Sequence, residues 1–505
     1  MKLIIFQNKK TKKICFAMAK CSMFLLFITM TFVTTVKATT VNVSNVTQLV
    51  SAVNNGAAGD IINVAAGTYT LTATLMPKAN MTINGAGVSS TTLKSSWNPG
   101  TSGLPEDPVN NKSATPSTYL FSMGVNDGVK ISNMTLDGSN QTHGAILVNG
   151  GAKTKNYEFS FLTIQNFVWT AIRIYDASFS KIHDCTFQNA GGTFKGESSG
   201  VIYVSYLEDS QIYNNRFLSS GTSYYGIKGR QPYRDHIYNN TILTGGFSIE
   251  FPFDCAGDNE IDHNILRCPV SIPKGNGGEC LPASGVSFHF HHNYHLYGYS
   301  FEWERNGVEI DHCLFDFNAQ TDDHSNLISG FDRSTAPGPC KFHDCLISNP
   351  GFGVFWSEGV YNNFSFYNNY VKANKTATSQ NLGLFDFRTG SNWSTIVIKD
   401  NIIECIGLNR PLMRNSASYT AVIQNNTLTG ISDVGSYANP NTGATCGPLS
   451  PLNFTLGAYG EYTINQWTLS LTSGNVPVTG VTVSPTTATL TVGGAIQTLT
   501  ATIAP

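Results

Sequence analysis

The sequence predicts an all-β chain wound as a single-stranded right-handed parallel β-helix with a short N-terminal capping helix. Two observations carry that expectation. The first is a short phrase repeated through the middle of the chain: Ile182-His-Asp-Cys-Thr-Phe187, Ile212-Tyr-Asn-Asn-Arg-Phe217, Ile237-Tyr-Asn-Asn-Thr-Ile242, and on to Ile423-Gln-Asn-Asn-Thr-Leu428. With looser copies at Ile131, Phe159 and Phe290 there are twelve, spaced 20 to 32 residues apart, which suits one turn of a solenoid. The second is the phrase's fourth position, which reads Cys185, Asn215, Asn240, Asn264, Asn293, Cys313, Cys345, Asn369, Asn401 and Asn426. Asn tolerates the left-handed backbone of a tight turn, and stacked amides can hydrogen-bond from coil to coil. No helical period and no leucine-rich spacing competes in this run.

Taken in order, residues 1–38 read as a secretory signal. Lys9, Lys10, Lys12 and Lys13 precede an apolar run from Met23 to Val33, and Val36-Lys-Ala38 offers small residues for cleavage. The expected product is secreted, periplasmic or held at the cell surface, with no membrane span once the signal is removed. Its loss takes seven of the 31 basic residues and none of the 33 acidic ones, so the remainder stands at −9. That balance argues against nucleic acid as a partner.

Residues 39–430 form the expected β-helix domain. Val46, Leu49, Val50 and Val53 lie on one face of a short helix that would cover the open end of the core. Ile61 to Tyr69 reads as the first coil. Trp97 to Ser117, rich in Pro, Gly and Asn, reads as a loop thrown out from one coil. Residues 431–475 are a cap or linker. Within 476–505, Val481-Thr-Val-Ser-Pro485 and Leu490-Thr-Val-Gly-Gly494 resemble the opening strands of a bacterial group 2 immunoglobulin-like domain. A whole sandwich needs more strands, so the chain is expected to stop inside that domain. A monomer is expected.

Nine cysteines remain after the signal. Cys185, Cys313 and Cys345 occupy the inner ladder as buried thiols. Cys255, Cys268, Cys280, Cys340, Cys405 and Cys446 are possible disulfide partners in an exported protein.

A packed solenoid core leaves the outer strand faces for chemistry. Side chains alternate along a strand, so the residue after each inward Ile or Phe of the strand preceding the phrase points away from the core. That column reads Leu147, Arg173, Tyr203, Lys228, Glu250, Ser271, Glu302 and Ser329. Two residues on, a second column reads Asn149, Tyr175, Ser205, Arg230, Pro252, then Lys274, Glu304 and Phe331. Cations and aromatic rings stack on sugars and clamp carboxylates. A solvated face with coil-to-coil ion pairs such as Lys228 with Glu250 is the structural alternative. His289 and His291 share a face and could ligate a metal, but with His292 and Asn293 in the adjoining turn the cluster reads as structural.

Signal, capping helix, Asn-laddered coils and the Lys/Arg/Tyr/Glu stripe together resemble the right-handed β-helix polysaccharide lyases of the alginate lyase and chondroitinase B type, over residues 40–430. The resemblance implies a uronic-acid polymer as substrate and β-elimination as the reaction. A cation or calcium would neutralise the uronate carboxylate, Lys or Tyr would take the C5 proton, and Arg or Tyr would protonate the leaving oxygen. With the two columns, the candidate catalytic residues are Lys274, Tyr203, Lys228, Arg230 and Glu302, and Arg173, Tyr175, Trp303 and Arg305 are candidates for holding substrate. Glu250, Glu302 and Glu304 are the calcium ligands on offer. This chain departs from the pattern where Glu302 stands in the slot of the expected Arg.

Chemistry leaves two bases open. Bare carboxylates at Glu250 and Glu302 would hold Lys274 protonated unless calcium masked them. Without a metal, Tyr203 beside Lys228 and Arg230 is the better base, since cations favour a phenolate. Two further functions compete. Glu302 and Glu304 stand about 7 Å apart along a strand, within the range of about 6.5–9.5 Å used by inverting glycoside hydrolases. A non-catalytic carbohydrate binder or adhesin fits the immunoglobulin-like tail.

Overall fold

The computed structural model describes residues 38–99, 115–191, 200–218, 225–243, 246–253, 257–272, 286–296, 301–303, 307–317, 326–330, 340–350, 353–357, 364–373, 383–387, 396–405, 412–415 and 421–431, and short strands at 454–455, 463–464, 480–484 and 500–504. The signal-like segment 1–37 and the loop 100–114 lie outside them.

The chain is a parallel β-helix. Ten of the phrases supply two short strands each to a 27-stranded sheet, those at Ile131 and Phe159 supply one longer strand each, and the strand before each phrase joins a second sheet of 12 strands. Every pairing between successive coils within these two sheets is parallel: Ile182 pairs with Ile212, Ile212 with Ile237, Ile237 with Ile261 and Ile261 with Phe290. The apolar first position therefore stacks on itself from coil to coil, and these side chains are fully or almost fully buried. The ladder reaches further back than the phrase. Thr40–Val43 pairs with Ile61–Val64, and that strand with Thr82–Gly85, so the first rung precedes the expected one at Ile61.

The helix Val46–Asn55 lies between the first two rungs, with Asn45 accepting the Gln48 backbone N–H at its start. Leu49 and Val53 are buried, whereas Val50, expected on the same face, is 36% exposed. Trp97 packs against the core edge and donates its indole N–H to the Ser117 carbonyl at 3.1 Å.

The Asn column faces inward along one line. Asn215, Asn240, Asn264, Asn293, Asn369, Asn401 and Asn426 are 0–1% exposed. The Asn215 backbone N–H donates to Asn240 Oδ1 at 3.0 Å, and Asn240 Nδ2 donates back to the Ile212 carbonyl at 2.8 Å. The same pair of bonds recurs at Asn264, Asn401 and Asn426. At Cys313 and Cys345 a thiol stands in the line, and the N–H groups of Asn293 and Cys313 reach sulfur at 3.4 Å.

One detail of the turn differs from expectation. The left-handed residue is the phrase's third, not its fourth. Asn133, Phe161, Asp184, Asn214, Asn239, His263, His292, His312, Asp344, Asn368, Asp400 and Asn425 all have φ between 48° and 58°. The bend at the third residue is what turns the fourth inward, where its amide can reach both neighbouring coils.

A second buried polar line marks the bend entering the phrase. Ser180 N–H donates to Ser210 Oγ, Ser210 N–H to Asp235 Oδ1, and Asp235 N–H to Asn259 Oδ1, at 2.9, 2.9 and 3.1 Å. Asp235 Oδ2 has no hydrogen-bond partner, and burial pushes this carboxyl up to about 8.

Cys268 and Cys405 are buried, and burial raises the Cys268 thiol to about 11. At the far end Gly480–Ser484 pairs antiparallel with Thr500–Ala504. The described residues contain no helix long and apolar enough to cross a membrane.

Candidate functional site

The outer column of the second sheet runs in the expected register. Leu147 pairs with Arg173, Arg173 with Tyr203, Tyr203 with Lys228, Lys228 with Glu250, Glu250 with Ser271, Ser271 with Glu302 and Glu302 with Ser329. One-coil spacing, about 4.8 Å, therefore separates each from the next. Inward Ile172, Ile202, Ile227 and Ile249 fix this parity, because a slip of one residue would bury the charges in the core instead.

Contacts along the column alternate cation and partner. The Arg173 guanidinium stands 4.8 Å from the Tyr203 ring centroid and 5.2 Å from that of Trp169. Lys228 Nζ lies 3.7 Å from the Tyr225 ring centroid and 3.0 Å from Glu250 Oε2. That oxygen makes no directed hydrogen bond, so the 3.0 Å contact is an ion pair held by charge. Cation–π and ion-pair contacts of this kind strengthen as water is excluded.

The column is not open to solvent. Arg173, Tyr203, Lys228 and Glu250 are 3%, 4%, 3% and 7% exposed. Facing away from the core, which the sequence pattern indicates, is a different property from facing water.

The second column needs one correction. Tyr175 pairs with Ser205 and Ser205 with Arg230, but a bulge after Lys228 brings Phe253, not Pro252, opposite Arg230. Phe251 is buried beside Gly229, where a Cβ would stand 2.5 Å from the Val204 carbonyl. Arg230 and Tyr175 are half-buried. Tyr206, which the sequence pattern does not single out, stands 5.5 Å from Tyr175 edge to face and is 41% exposed. Its left-handed backbone, φ 55°, swings the ring out of the strand.

The remaining candidates are placed less fully. Glu302 and Trp303 lie on the strand Phe301–Trp303, Glu302 in register with Ser271 and Ser329 and Trp303 with Gly330; their side chains lie outside the described part of the structure. Lys274, Glu304 and Arg305 lie outside the described residues. Of the three carboxylates suggested for calcium, Glu250 has a described side chain, and Lys228 already neutralises it. That contact does not favour a cation there.

The 27-stranded sheet carries a second polar face, largely unread in the sequence. Two of its outward columns read His236, Glu260, His289, Glu309, Lys341 and Tyr238, Asp262, His291, Asp311, His343. Imidazole and carboxylate rows thus alternate. His289 Nε2 bonds Asp311 at 2.6 Å, His343 Nε2 bonds Glu309 at 3.1 Å, and His236 bonds Asp262. Burial acts to lower His343, but its bonds to Asp344 and Glu309 outweigh that and raise it to about 9. His291 and His292 are lowered to about 4, chiefly by burial and then by neighbouring histidines. His295, the fourth of the cluster, points inward and bonds the Cys268 carbonyl at 2.9 Å.

No protein-family model matches the sequence, and no curated protein matches it. Solved structures similar to it include a PL6 alginate lyase complexed with a trisaccharide, at 13% identity, covering 85% of this chain and 92% of that one, with a TM-score of 0.49. Alginate lyase AlyF-OU02 with G6 is 13% identical, over 76% and 88% of the two chains, at 0.48. The tailspike of E. coli bacteriophage HK620 with a pentasaccharide is 14% identical, over 75% and 74%, at 0.41. At these identities and scores, the chemistry has to be argued from this chain's own residues.

Proposed function

We propose that the chain is a polysaccharide-degrading enzyme that cleaves a uronic-acid polymer by β-elimination along the second sheet. The observation that carries the reading is the run Arg173, Tyr203, Lys228, Glu250 on four consecutive coils, with the phenol between two cationic rungs. No need of the apolar core accounts for it.

The chemistry asked of these groups is specific. A proton α to a carboxylate leaves only if positive charge offsets the developing enolate and a base stands beside the carbon. Arg230, half-buried and two residues beyond Lys228, is suited to hold the uronate carboxylate, with Lys228 behind it. Tyr203 is 4% exposed, so the column must open to admit the sugar. Tyr203 then takes the C5 proton, the C4–O bond breaks as the C4–C5 double bond forms, and the Tyr203 phenol returns that proton to the leaving oxygen. Lys274 is the alternative base. Exposed Tyr206, edge to face with half-buried Tyr175, offers ring surface beside the column for sugar stacking. No step is routed through a metal.

The test is incubation with alginate, pectate and glycosaminoglycans, following the ultraviolet absorbance of an unsaturated uronate end. Reducing ends without that absorbance would favour a hydrolase using Glu302, and no product from any polymer would favour a binding protein.

A further inference from the structure

We infer that the 27-stranded sheet carries a transition-metal site, independent of the proposed cleavage column, in which Glu260, His289 and His291 hold one ion of the zinc class. One ligand atom of each of these three lies within 4.8 Å of the others. They come from two adjacent coils in strict register, Glu260 opposite His289 and Asp262 opposite His291. His289 and His291 sit two apart on the strand Phe288–His291, so both point to the same side, with rings 4.2 Å apart.

An alternating lattice of imidazole and carboxylate could simply satisfy itself, and most of this one does. The bonds His289 to Asp311, His343 to Glu309 and His236 to Asp262 consume the obvious partners. Two ligand atoms are left over, and they are neighbours. His291 Nε2 is 3.7 Å from Asp262, beyond hydrogen-bond distance, and exposed Glu260 comes no nearer than 3.9 Å to His236. Pairing alone gives no reason for both to be aimed at the same place.

The surrounding bonds set the ring nitrogens as a metal needs them. His291 Nδ1 and His292 Nδ1 are 2.9 Å apart, so one of the two carries the proton between them. With that proton on His291, its Nε2 keeps a lone pair for the ion. His289 gives its Nε2–H to Asp311 and keeps Nδ1 for the ion, the carboxylate–histidine–metal arrangement that orients a ligand ring. Two imidazoles and one carboxylate favour zinc, cobalt, nickel or copper over calcium or magnesium, which take oxygen ligands. Three protein ligands on an outward face leave a coordination position for water or for a donor from another molecule.

The experiment uses the full chain stripped of metal and titrated with Co2+, then displaced with Zn2+. The expected result is one equivalent of Co2+ with a visible ligand-field band, insensitive to excess Ca2+ or Mg2+. Glu260→Gln alters an exposed side chain and leaves folding intact; it should weaken binding by about 10-fold or more. His291→Ala should abolish the band while circular dichroism is unchanged. Absence of binding, or binding equally tight in Glu260→Gln and wild type, overturns the site.

Discussion

Lys228 Nζ stands 3.0 Å from Glu250 Oε2 on the next coil, with both side chains nearly closed to water. Removing one partner strands a buried charge, which typically costs about 3–5 kcal/mol, whereas replacing both with apolar groups is often nearly neutral. Lys228→Met should therefore destabilise the fold strongly, and Lys228→Met with Glu250→Leu should recover much of the loss. Denaturant unfolding of the two variants checks this. A single variant as stable as wild type would mean that the charges are not buried as a pair.

The Asn ladder gives a second expectation. Asn240→Ala removes the acceptor for the Asn215 N–H and the donor to the Ile212 carbonyl, both buried. Each orphaned group costs about 1–3 kcal/mol, so a loss on the order of 2–6 kcal/mol is expected, with Asn240→Ser intermediate. A change below about 1 kcal/mol would contradict the bonding described.

Much of this scaffold is legible in the sequence. Apolar residues in the strand before each phrase, Ile172, Ile202, Ile227 and Ile249, have a fixed parity, and that parity alone brings Arg173, Tyr203, Lys228 and Glu250 into one column. Local bends are less legible. The left-handed residue at the third position includes His and Phe as well as Asn and Asp, so composition points to the invariant-looking fourth position instead. The bulge that substitutes Phe253 for Pro252 has no period to betray it. Burial of the column is not encoded in alternation, which separates core from exterior but not exterior from solvent. The imidazole–carboxylate lattice escapes notice because each of its rows differs in residue type, and only pairing across coils reveals the alternation.

Asp235 makes stability depend on pH. Its folded-state value of about 8 lies far above the usual 3.8, so the folded form keeps a proton that the unfolded chain has released. That stabilisation is full below about pH 4 and is lost as pH rises through about 8. His343, raised to about 9 from 6.5, acts with the same sign, full below about 6.5 and lost as pH rises through 9. Asp235→Asn should stabilise the protein above pH 8 by about 1–3 kcal/mol and flatten thermal stability between pH 5 and 9. If wild type and variant keep parallel pH profiles, Asp235 is not protonated in the fold.

The histidines separate by titration. In the metal-free protein His343 should titrate near 9 and His291 near 4, read from their ring protons by NMR. Both titrating near 6.5 would mean that the bonds of His343 to Asp344 and Glu309 and the burial of His291 do not persist in solution.

The central claim is elimination by the Arg173–Tyr203–Lys228 column, and the most direct measurement is ultraviolet product formation by wild type, Tyr203→Phe and Lys274→Ala on a uronate polymer that wild type degrades. The predicted result is an absorbing unsaturated product that falls by about 10²-fold or more in Tyr203→Phe, with circular dichroism unchanged. Retained activity in both variants, together with its loss in Glu302→Gln and release of reducing ends without absorbance, would contradict it.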